Sequence, residues 1–127
     1  MWIILSRTRK NNCSRIVDKS DPESKRAELE YKVLDCIQTE EKDPQYLSLV
    51  EIKLLTGRHH QIRVQFSGHG TPLYGDGKYG NNEKAVRKSL ALCACHLKFK
   101  HPATGKIMDF QIKPDTGAFK LFSKSND

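Results

Sequence analysis

The chain has 127 residues, a length that suits one small domain or part of a larger one. Hydrophobic residues make up 37% of it and charged residues 29%, which supports a packed core and argues against wholesale disorder. Lysine and arginine number 22 against 15 acidic residues, for a net charge of +7. This excess favours a polyanionic partner, because basic side chains beside phosphates release condensed counterions, although many ordinary domains are also basic.

The sequence argues against a membrane protein and against a small protein held together by disulfide bonds. The apolar run at 2–5 is far shorter than the roughly 18 residues of a membrane span or the core of a signal peptide. We therefore expect a cytoplasmic protein without a membrane partner. Cys93-Ala94-Cys95-His96 raises the alternative of a metal site. Strand alternation would place Cys95 opposite Cys93 and His96, so we expect reduced thiols and no metal.

The first half of the chain predicts three strands, at 2–5, 27–33 and 46–55, with a basic, turn-rich segment at 6–25. In the second of them, the alternation puts Ala27, Leu29, Tyr31 and Val33 on a buried face. In the third, Leu47 and Leu49 are out of phase with Val50, Ile52 and Leu54. This phase change predicts a bulge near Leu49.

The second half alternates short helices, loops and strands. The pattern predicts a helix at 59–67 ended by Gly68, an ordered glycine-rich loop at 68–82 and a helical turn at 83–88. A strand at 90–101, a turn at 101–105, a partner strand at 107–112 and a closing segment with Phe119, Leu121 and Phe122 follow. These elements predict an α+β fold with a mixed, mostly antiparallel sheet and short helices.

The residues with the most evident chemistry follow the third strand, in the run 55–64. Arg58, His59, His60, Gln61 and Arg63 occupy the turn and the first helical turns. Gly57 there can adopt a backbone angle closed to other residues. A helix N-terminus favours anions, so this cluster suits a phosphate or a carboxylate better than a metal. A solvated basic turn explains the residues equally well on physical grounds alone.

Four motifs in order give the sequence a family resemblance. Thr56-Gly57-Arg58-x-His60-Gln61-Ile62-Arg63-Val64 resembles a signature of the RluA-type RNA pseudouridine synthases. The segment 72–80, Pro-Leu-Tyr-Gly-Asp-Gly-Lys-Tyr-Gly, is similar to the family's P-x-x-G-D-x-x-Y-G loop. The segment 90–94 resembles its L-x-L-H-A strand and 99–106 its F-x-H-P-x-T-G hairpin. The resemblance covers nearly the whole chain.

The resemblance implies an isomerase that detaches uracil from ribose in ribosomal or transfer RNA, rotates it and reattaches it through carbon. It implies no cofactor and no metal. By position, Arg63 would be the catalytic-site arginine that pairs with the family's aspartate. The predicted substrate-binding residues are Arg58, His60, Gln61, Lys78 and Leu92, and the predicted structural residues are Gly57, Gly75, Asp76, Tyr79 and Gly80.

The family's aspartate motif H-R-L-D does not occur in the sequence, and Leu34-Asp35 is the only Leu-Asp. We therefore expect residues 1–127 to form a single partial domain, the C-terminal portion of a catalytic domain, that is inactive alone. The alternative is a non-catalytic module that binds RNA or completes a partner. An exposed sheet edge would also favour self-association.

Overall fold

The computed structural model describes residues 2–6, 16, 19–22, 24–40, 45–80 and 89–123. Its elements are β1 (Trp2–Ser6), β2 (Leu29–Gln38), β3 (Tyr46–Leu54), α1 (Gln61–Gly68), β4 (Leu92–Cys93), β5 (His96–Lys100), β6 (Ile107–Gln111), a 3-10 turn (Gly117–Phe119) and α2 (Lys120–Ser123). The predicted helical turn at 83–88 and most of the segment 6–25 lie outside the described residues. The α+β class is confirmed.

The strands form one four-stranded sheet, in the order β2-β3-β1-β4, and a separate β5–β6 hairpin. Every strand pair between described residues is antiparallel. The tight turn at 101–105 sets the hairpin, in which the N–H of Gly105 donates to the carbonyl of His101 at 2.9 Å. None of the helices in the described part of the chain has the length and apolar character that a bilayer crossing requires.

β3 is covered by apolar groups on both faces, which corrects one sequence prediction. Leu47 and Leu49 pack on one side in a cluster with Ala91, Phe119 and Phe122. Val50 and Ile52 point to the other side and pack in a cluster with Ile62, Phe66 and Leu73. The phase change in β3 thus reflects packing on both faces and not an extra residue in β3. The irregularity predicted near Leu49 is present at that place, between the pairs Val33–Val50 and Asp35–Leu49, but its extra residue lies in β2.

Two predicted strands differ from the observed ones. The strand predicted at 27–33 begins at Leu29 and continues to Gln38, and its supposed buried residues Tyr31 and Val33 are exposed. The alternation correctly predicted a strand, but its apolar face is covered only in part: Leu29 packs on the core and Tyr31 meets Phe66 edge-on, with ring centroids 5.7 Å apart. The strand predicted at 90–101 is divided into β4 and β5 by two residues, of which Cys95 is buried and accepts a hydrogen bond from the N–H of Ile112 at 2.9 Å.

Apolar side chains on β2 and on the β5–β6 hairpin face solvent, among them Tyr31, Val33, Leu97, Ile107 and Phe110. β2 is also an edge strand of the sheet. We expect this chain to self-associate through β2, so that the average mass in sedimentation rises with concentration. Val33→Lys should shift the chain toward monomer, whereas Leu55→Lys, at the same 49% exposure, should not. A concentration-independent monomer would contradict this prediction.

Candidate active site

The turn before α1 is held in place by Gln61. Its Oε1 accepts hydrogen bonds from the Thr56 hydroxyl at 2.7 Å and from the Arg58 N–H at 3.0 Å. Its Nε2 donates to the carbonyl of Glu28 at 3.0 Å, and the residue is only 5% exposed. These bonds tie the turn to the start of β2, so the amide of Gln61 serves the fold. The predicted substrate contact of Gln61 remains a prediction.

The left-handed residue in this turn is His60, which corrects the role expected of Gly57. His60 has φ 51° and ψ 25° and stands at the N-terminus of α1, whereas Gly57 is not among the positive-φ residues. A non-glycine residue in this conformation costs about 1–3 kcal/mol and persists only where its surroundings hold it. The ring of His60 stacks on His59 with centroids 3.8 Å apart, and its Nδ1 lies 2.7 Å from the hydroxyl of Tyr79.

Arg63 forms a bidentate ion pair with Asp76. Its Nε donates to Oδ2 at 3.0 Å and its Nη2 to Oδ1 at 2.8 Å. The side chain of Asp76 is completely buried, whereas that of Arg63 is 19% exposed. The expectation that Arg63 faces a carboxylate that this chain does not supply was thus wrong for the edge of the guanidinium that Asp76 occupies. Asp76 had been read as a turn residue alone, and its pairing with Arg63 depends on how the loop folds back on α1.

Asp76 also organises its own loop. Its Oδ1 accepts hydrogen bonds from the backbone N–H groups of Tyr79 at 3.0 Å and Lys78 at 3.2 Å. Burial alone raises the pKa of Asp76, but the hydrogen bonds from Arg63, Tyr79 and Lys78 outweigh it and the pKa falls below its ordinary value. The hydrogen bond to Asp76 raises the pKa of Arg63. Both groups are therefore charged at neutral pH.

Tyr79 connects this pair to the histidines. Its side chain is fully buried, and the guanidinium carbon of Arg63 lies 5.0 Å from its ring centroid. The Nζ of Lys78 lies 5.8 Å from the same ring. The carbonyl of Tyr79 accepts a hydrogen bond from the buried hydroxyl of Ser67 at 2.8 Å, which fixes the loop against α1. Tyr79, predicted to be structural, thus contacts three charged or titratable groups, namely His60, Arg63 and Lys78.

His60 is expected to be neutral at physiological pH. Desolvation lowers its pKa first, and the charges of His59, Arg63 and Lys78 lower it further. Because the folded pKa is depressed, protonation on acidification opposes the folded state. An NMR titration should give His60 a midpoint below the ordinary 6.5. Lys78→Met should move that midpoint upward, and a midpoint at or above 6.5 in the unsubstituted chain would contradict the prediction.

The loop needs glycine at two positions. Gly75 has φ +81°, and a Cβ there would lie 2.2 Å from the carbonyl oxygen of Ser89. A Cβ at Gly80 would lie 2.4 Å from the carbonyl oxygen of Asp76. Both contacts are with backbone atoms, so a side chain cannot be accommodated by a rotamer change.

Gly75→Ala should lower the free energy of unfolding by about 2–4 kcal/mol, from the left-handed angle and the overlap together. Chemical denaturation would measure the loss. Gly57→Ala is the matched control, because a Cβ there meets nothing within 4 Å. Equal stabilities of the two variants would contradict the prediction.

His60, Gln61 and Arg63 border a small open cleft. Its volume is about 290 Å³, and it is lined by Leu54, Gly57, Arg58, His60, Gln61, Ile62, Arg63, Leu90 and Leu92. Among the predicted substrate-binding residues, Lys78 is the one that does not line it. Sequence reasoning missed Leu54, Ile62 and Leu90. The position of Leu54 at the end of β3, two residues before the turn, was an available signal for its place in the wall.

The arrangement provides a positive charge beside an apolar wall. In the described part of the chain, no group of three or more His, Cys, Asp or Glu side chains is placed to hold a metal ion. A guanidinium that is fixed on one edge can bind a further carboxylate or phosphate with its remaining N–H groups. Leu54, Leu90 and Leu92 form the apolar side of the cleft next to this guanidinium. The site is therefore suited to bind a small planar group next to an anion.

Comparison with known proteins establishes the family. The RNA pseudouridylate synthase family model matches residues 3–68, about half of the chain, and the chain belongs to this family. It is 37% identical over 110 residues to the ribosomal large subunit pseudouridine synthase D of Zymomonas mobilis, covering 80% of this chain and 32% of that protein.

Two further relatives agree. The chain is 35% identical over 120 residues to the ribosomal large subunit pseudouridine synthase C of Escherichia coli, and the match covers 87% of this chain and 34% of that protein. The chain is also 35% identical over 92 residues to the dual-specificity RNA pseudouridine synthase RluA of Yersinia pestis, and the match covers 72% of this chain and 42% of that protein. The chain thus spans about a third to two fifths of the length of these relatives.

Proposed function

We propose that this chain forms the C-terminal part of the catalytic domain of an RNA pseudouridine synthase, which isomerises uridine in ribosomal or transfer RNA. The observation that carries the proposal is the placement of Arg63. Its guanidinium lines a cleft of about 290 Å³ and is held on one edge by the buried carboxylate of Asp76. This volume is near the lower end of small-molecule pockets, roughly 300–1,000 Å³, and suits a single pyrimidine base.

The catalytic aspartate would come from a segment outside these 127 residues. Asp76 uses two of the three guanidinium nitrogens of Arg63, Nε and Nη2. Among the described residues, Nη1 has no carboxylate partner and is left for a second one. A carboxylate beside an apolar wall tends to protonate, and a guanidinium counters this by stabilising its ionised form. Arg63 would thereby keep the incoming aspartate charged and aimed at the substrate, as nucleophile or base.

The reaction breaks the bond between ribose C1′ and N1 of uracil, rotates the base and joins C1′ to C5; C5 releases its proton to solvent and N1 takes up one proton, so that the product is an isomer of uridine. In this scheme Leu54, Leu90 and Leu92 would line the base pocket, since all three border the cleft. Arg58 and His60 border its polar side, where a phosphate or a base oxygen would lie. Lys78, outside the lining residues, would contribute its charge from the loop. Each of these contacts is a proposal for a bound uridine.

A chimera tests the proposal directly. In the Zymomonas relative, the segment that this chain matches, 32% of its length, would be replaced by this chain. Isomerisation releases the C5 hydrogen, so tritium release from RNA containing 5-tritiated uridine measures turnover. We expect turnover by the chimera and none by the 127-residue chain alone. A well-folded chimera without turnover, or a 127-residue chain with turnover, would contradict the proposal.

The second candidate is a non-catalytic module that binds RNA or completes a partner. The exposed apolar residues of β2 and of the hairpin favour it, because a partner could cover them. The chimera experiment distinguishes this candidate from the first by whether turnover occurs. A module would bind RNA or a partner but would give no turnover in any chimera that supplies a relative's catalytic aspartate.

A further inference from the structure

The imidazole of His60 lies between a buried tyrosine and the cleft. Its Nδ1 is 2.7 Å from the hydroxyl of Tyr79, which is fully buried and is not among the residues that line the cleft. His60 itself lines the cleft. Among the described residues its Nε2 has no hydrogen-bond partner, and it is not one of the side-chain atoms that are both buried and unpaired. One edge of the ring is therefore bonded to the protein, and the other is open to solvent.

The length of the bond to Tyr79 indicates which group donates. Hydrogen bonds from O–H donors centre at about 2.7–2.8 Å, whereas those from N–H donors to oxygen centre at about 2.9–3.0 Å. At 2.7 Å, the hydroxyl of Tyr79 is the donor and Nδ1 of His60 the acceptor. A neutral imidazole carries one proton, which this assignment places on Nε2. Desolvation and the charges of His59, Arg63 and Lys78 lower the pKa of His60 and so oppose a second proton.

Two further features hold this ring in one orientation. It stacks on the ring of His59, with centroids 3.8 Å apart and planes 28° apart. The backbone of His60 is left-handed, with φ 51°, and such strained angles cluster at functional sites, where the surrounding contacts maintain them. The position of Nε2 is thus fixed before a ligand enters the cleft, and such preorganisation lowers the cost of binding.

We propose that Nε2–H of His60 donates a hydrogen bond to a carbonyl oxygen of uracil in the cleft, and that Tyr79 is the positioning residue that keeps the proton on Nε2. This inference rests on the proposed function and adds to it the group that selects uracil over cytosine. Uracil has carbonyl oxygens at C2 and C4, whereas cytosine has an amino group at C4. An N–H donor binds a carbonyl oxygen but is left unpaired when it faces an amino group.

The rotation of the base makes one fixed donor sufficient. A half-turn of uracil about the line through N3 and C6 brings C5 to the place of N1, and it also exchanges O2 with O4. A donor that meets one carbonyl oxygen before the half-turn therefore meets the other one after it. Cytosine places its amino group against that donor in one of the two orientations, whichever oxygen is contacted first. His60 thus holds uracil before and after the rotation and disfavours cytosine.

The tautomer can be measured on the 127-residue chain. Two-bond proton–nitrogen NMR spectra at neutral pH distinguish an imidazole protonated on Nε2 from one protonated on Nδ1, and His60→Asn identifies the signals of His60. We expect the Nε2 form in the unsubstituted chain and a mixture in Tyr79→Phe, which removes only the hydroxyl. Tyr46→Phe is the control, because Tyr46 is 60% exposed and does not line the cleft. A ring protonated on Nδ1, or a tautomer unchanged in Tyr79→Phe, would overturn the proposal.

Recognition of the base is tested in the chimera with RNAs that differ only at the target position. Sulfur is a weak acceptor, so 2-thiouridine and 4-thiouridine each weaken one of the two carbonyl contacts. Under single turnover, followed by nucleoside chromatography, both should react about 3–10-fold more slowly than uridine, the range for one hydrogen bond. In His60→Asn, uridine should slow by about the same factor and both thio penalties should disappear, because the cycle cancels the effect of sulfur on the base itself.

His60→Asn keeps the fold testable, since asparagine tolerates the left-handed angle, and circular dichroism melts would show that the variant remains folded. The matched control is His69→Asn, on an exposed residue that does not line the cleft, and it should retain both thio penalties. Tyr79→Phe, which leaves the imidazole in place, should lose part of both penalties. Thio penalties that persist in His60→Asn, or a penalty with only one of the two thio RNAs, would overturn the inference.

A binding measurement separates this inference from the proposed function. In a chimera whose catalytic aspartate is replaced by asparagine, RNA with uridine at the target position should bind about tenfold more tightly than RNA with cytidine there. His60→Asn should reduce this preference to about threefold or less, and His69→Asn should leave it unchanged. If the parent chimera gave no turnover but this preference still depended on His60, the proposed function would fail and the inference would stand. Turnover without any such preference would remove the inference alone.

Discussion

Asp76→Asn is expected to lower the free energy of unfolding by about 3–5 kcal/mol, the range for removing one partner of a buried ion pair. The carboxylate is completely buried and accepts four hydrogen bonds, from Nε and Nη2 of Arg63 and from the N–H groups of Lys78 and Tyr79. Asparagine keeps the shape but directs an NH2 group at these donors. It also leaves the charge of Arg63 without its partner. Urea denaturation would measure the loss.

Asp109→Asn is the matched control. Asp109 bonds to His96 at 2.7 Å, but both side chains are 45% exposed, so water replaces the lost contact. We expect a change of about 1 kcal/mol or less. A loss in Asp76→Asn as small as that in Asp109→Asn would show that the ion pair does not hold the loop on α1.

The depressed pKa of Asp76 gives this pair a defined pH dependence. Its folded pKa lies below the ordinary value of 3.8, so the unfolded chain takes up the proton first as the pH falls. The stabilisation is fully present above about pH 4 and is lost as the pH falls through the lower, folded pKa. Acid unfolding of the unsubstituted chain should therefore be steep below pH 4, and this step should be missing in Asp76→Asn.

Local sequence patterns predicted most elements of the fold but not which faces are covered. β2 was recognisable because apolar and charged residues alternate from Leu29 to Val33. Alternation does not show what lies on the apolar face, and Tyr31 and Val33 proved to be exposed. The change of phase in β3 was read as a bulge, because contact with Phe119 and Phe122, far along the chain, has no local signature.

The residues that line the cleft were easier to predict from the sequence than the contacts among them. Arg58, His60, Arg63 and Leu92 were placed by motif, and the structure brings all four to one cleft. The bond from Arg63 to Asp76 was not foreseen, because it joins two motifs through a glycine-rich loop whose path no periodicity fixes. The left-handed backbone was assigned to Gly57 on residue type, yet His60 adopts it. The stacking of its ring on the adjacent His59 and the tertiary contact with Tyr79 hold His60 in this conformation.

If Arg63 acts on the catalytic aspartate, Arg63→Met in the chimera should lower kcat by about 100–1,000-fold, the usual loss for one preorganised electrostatic contact. KM should change little, because the guanidinium would act on the protein's carboxylate more than on bound RNA. Arg63→Lys keeps the charge without the bidentate geometry and should recover only part of the rate. Arg58→Met is the control, with an effect on KM and little on kcat.

Asp76 then acts as a positioning residue, and a double-mutant cycle tests this role. Asp76→Asn alone should lower kcat, because Arg63 loses the contact that orients it. In the chimera that already carries Arg63→Met, the same substitution should change kcat by less than about threefold, since residues that act as one unit are non-additive. All rates would be measured well below the melting temperature of each variant. Additive losses would mean that Asp76 affects turnover by a route that does not pass through Arg63.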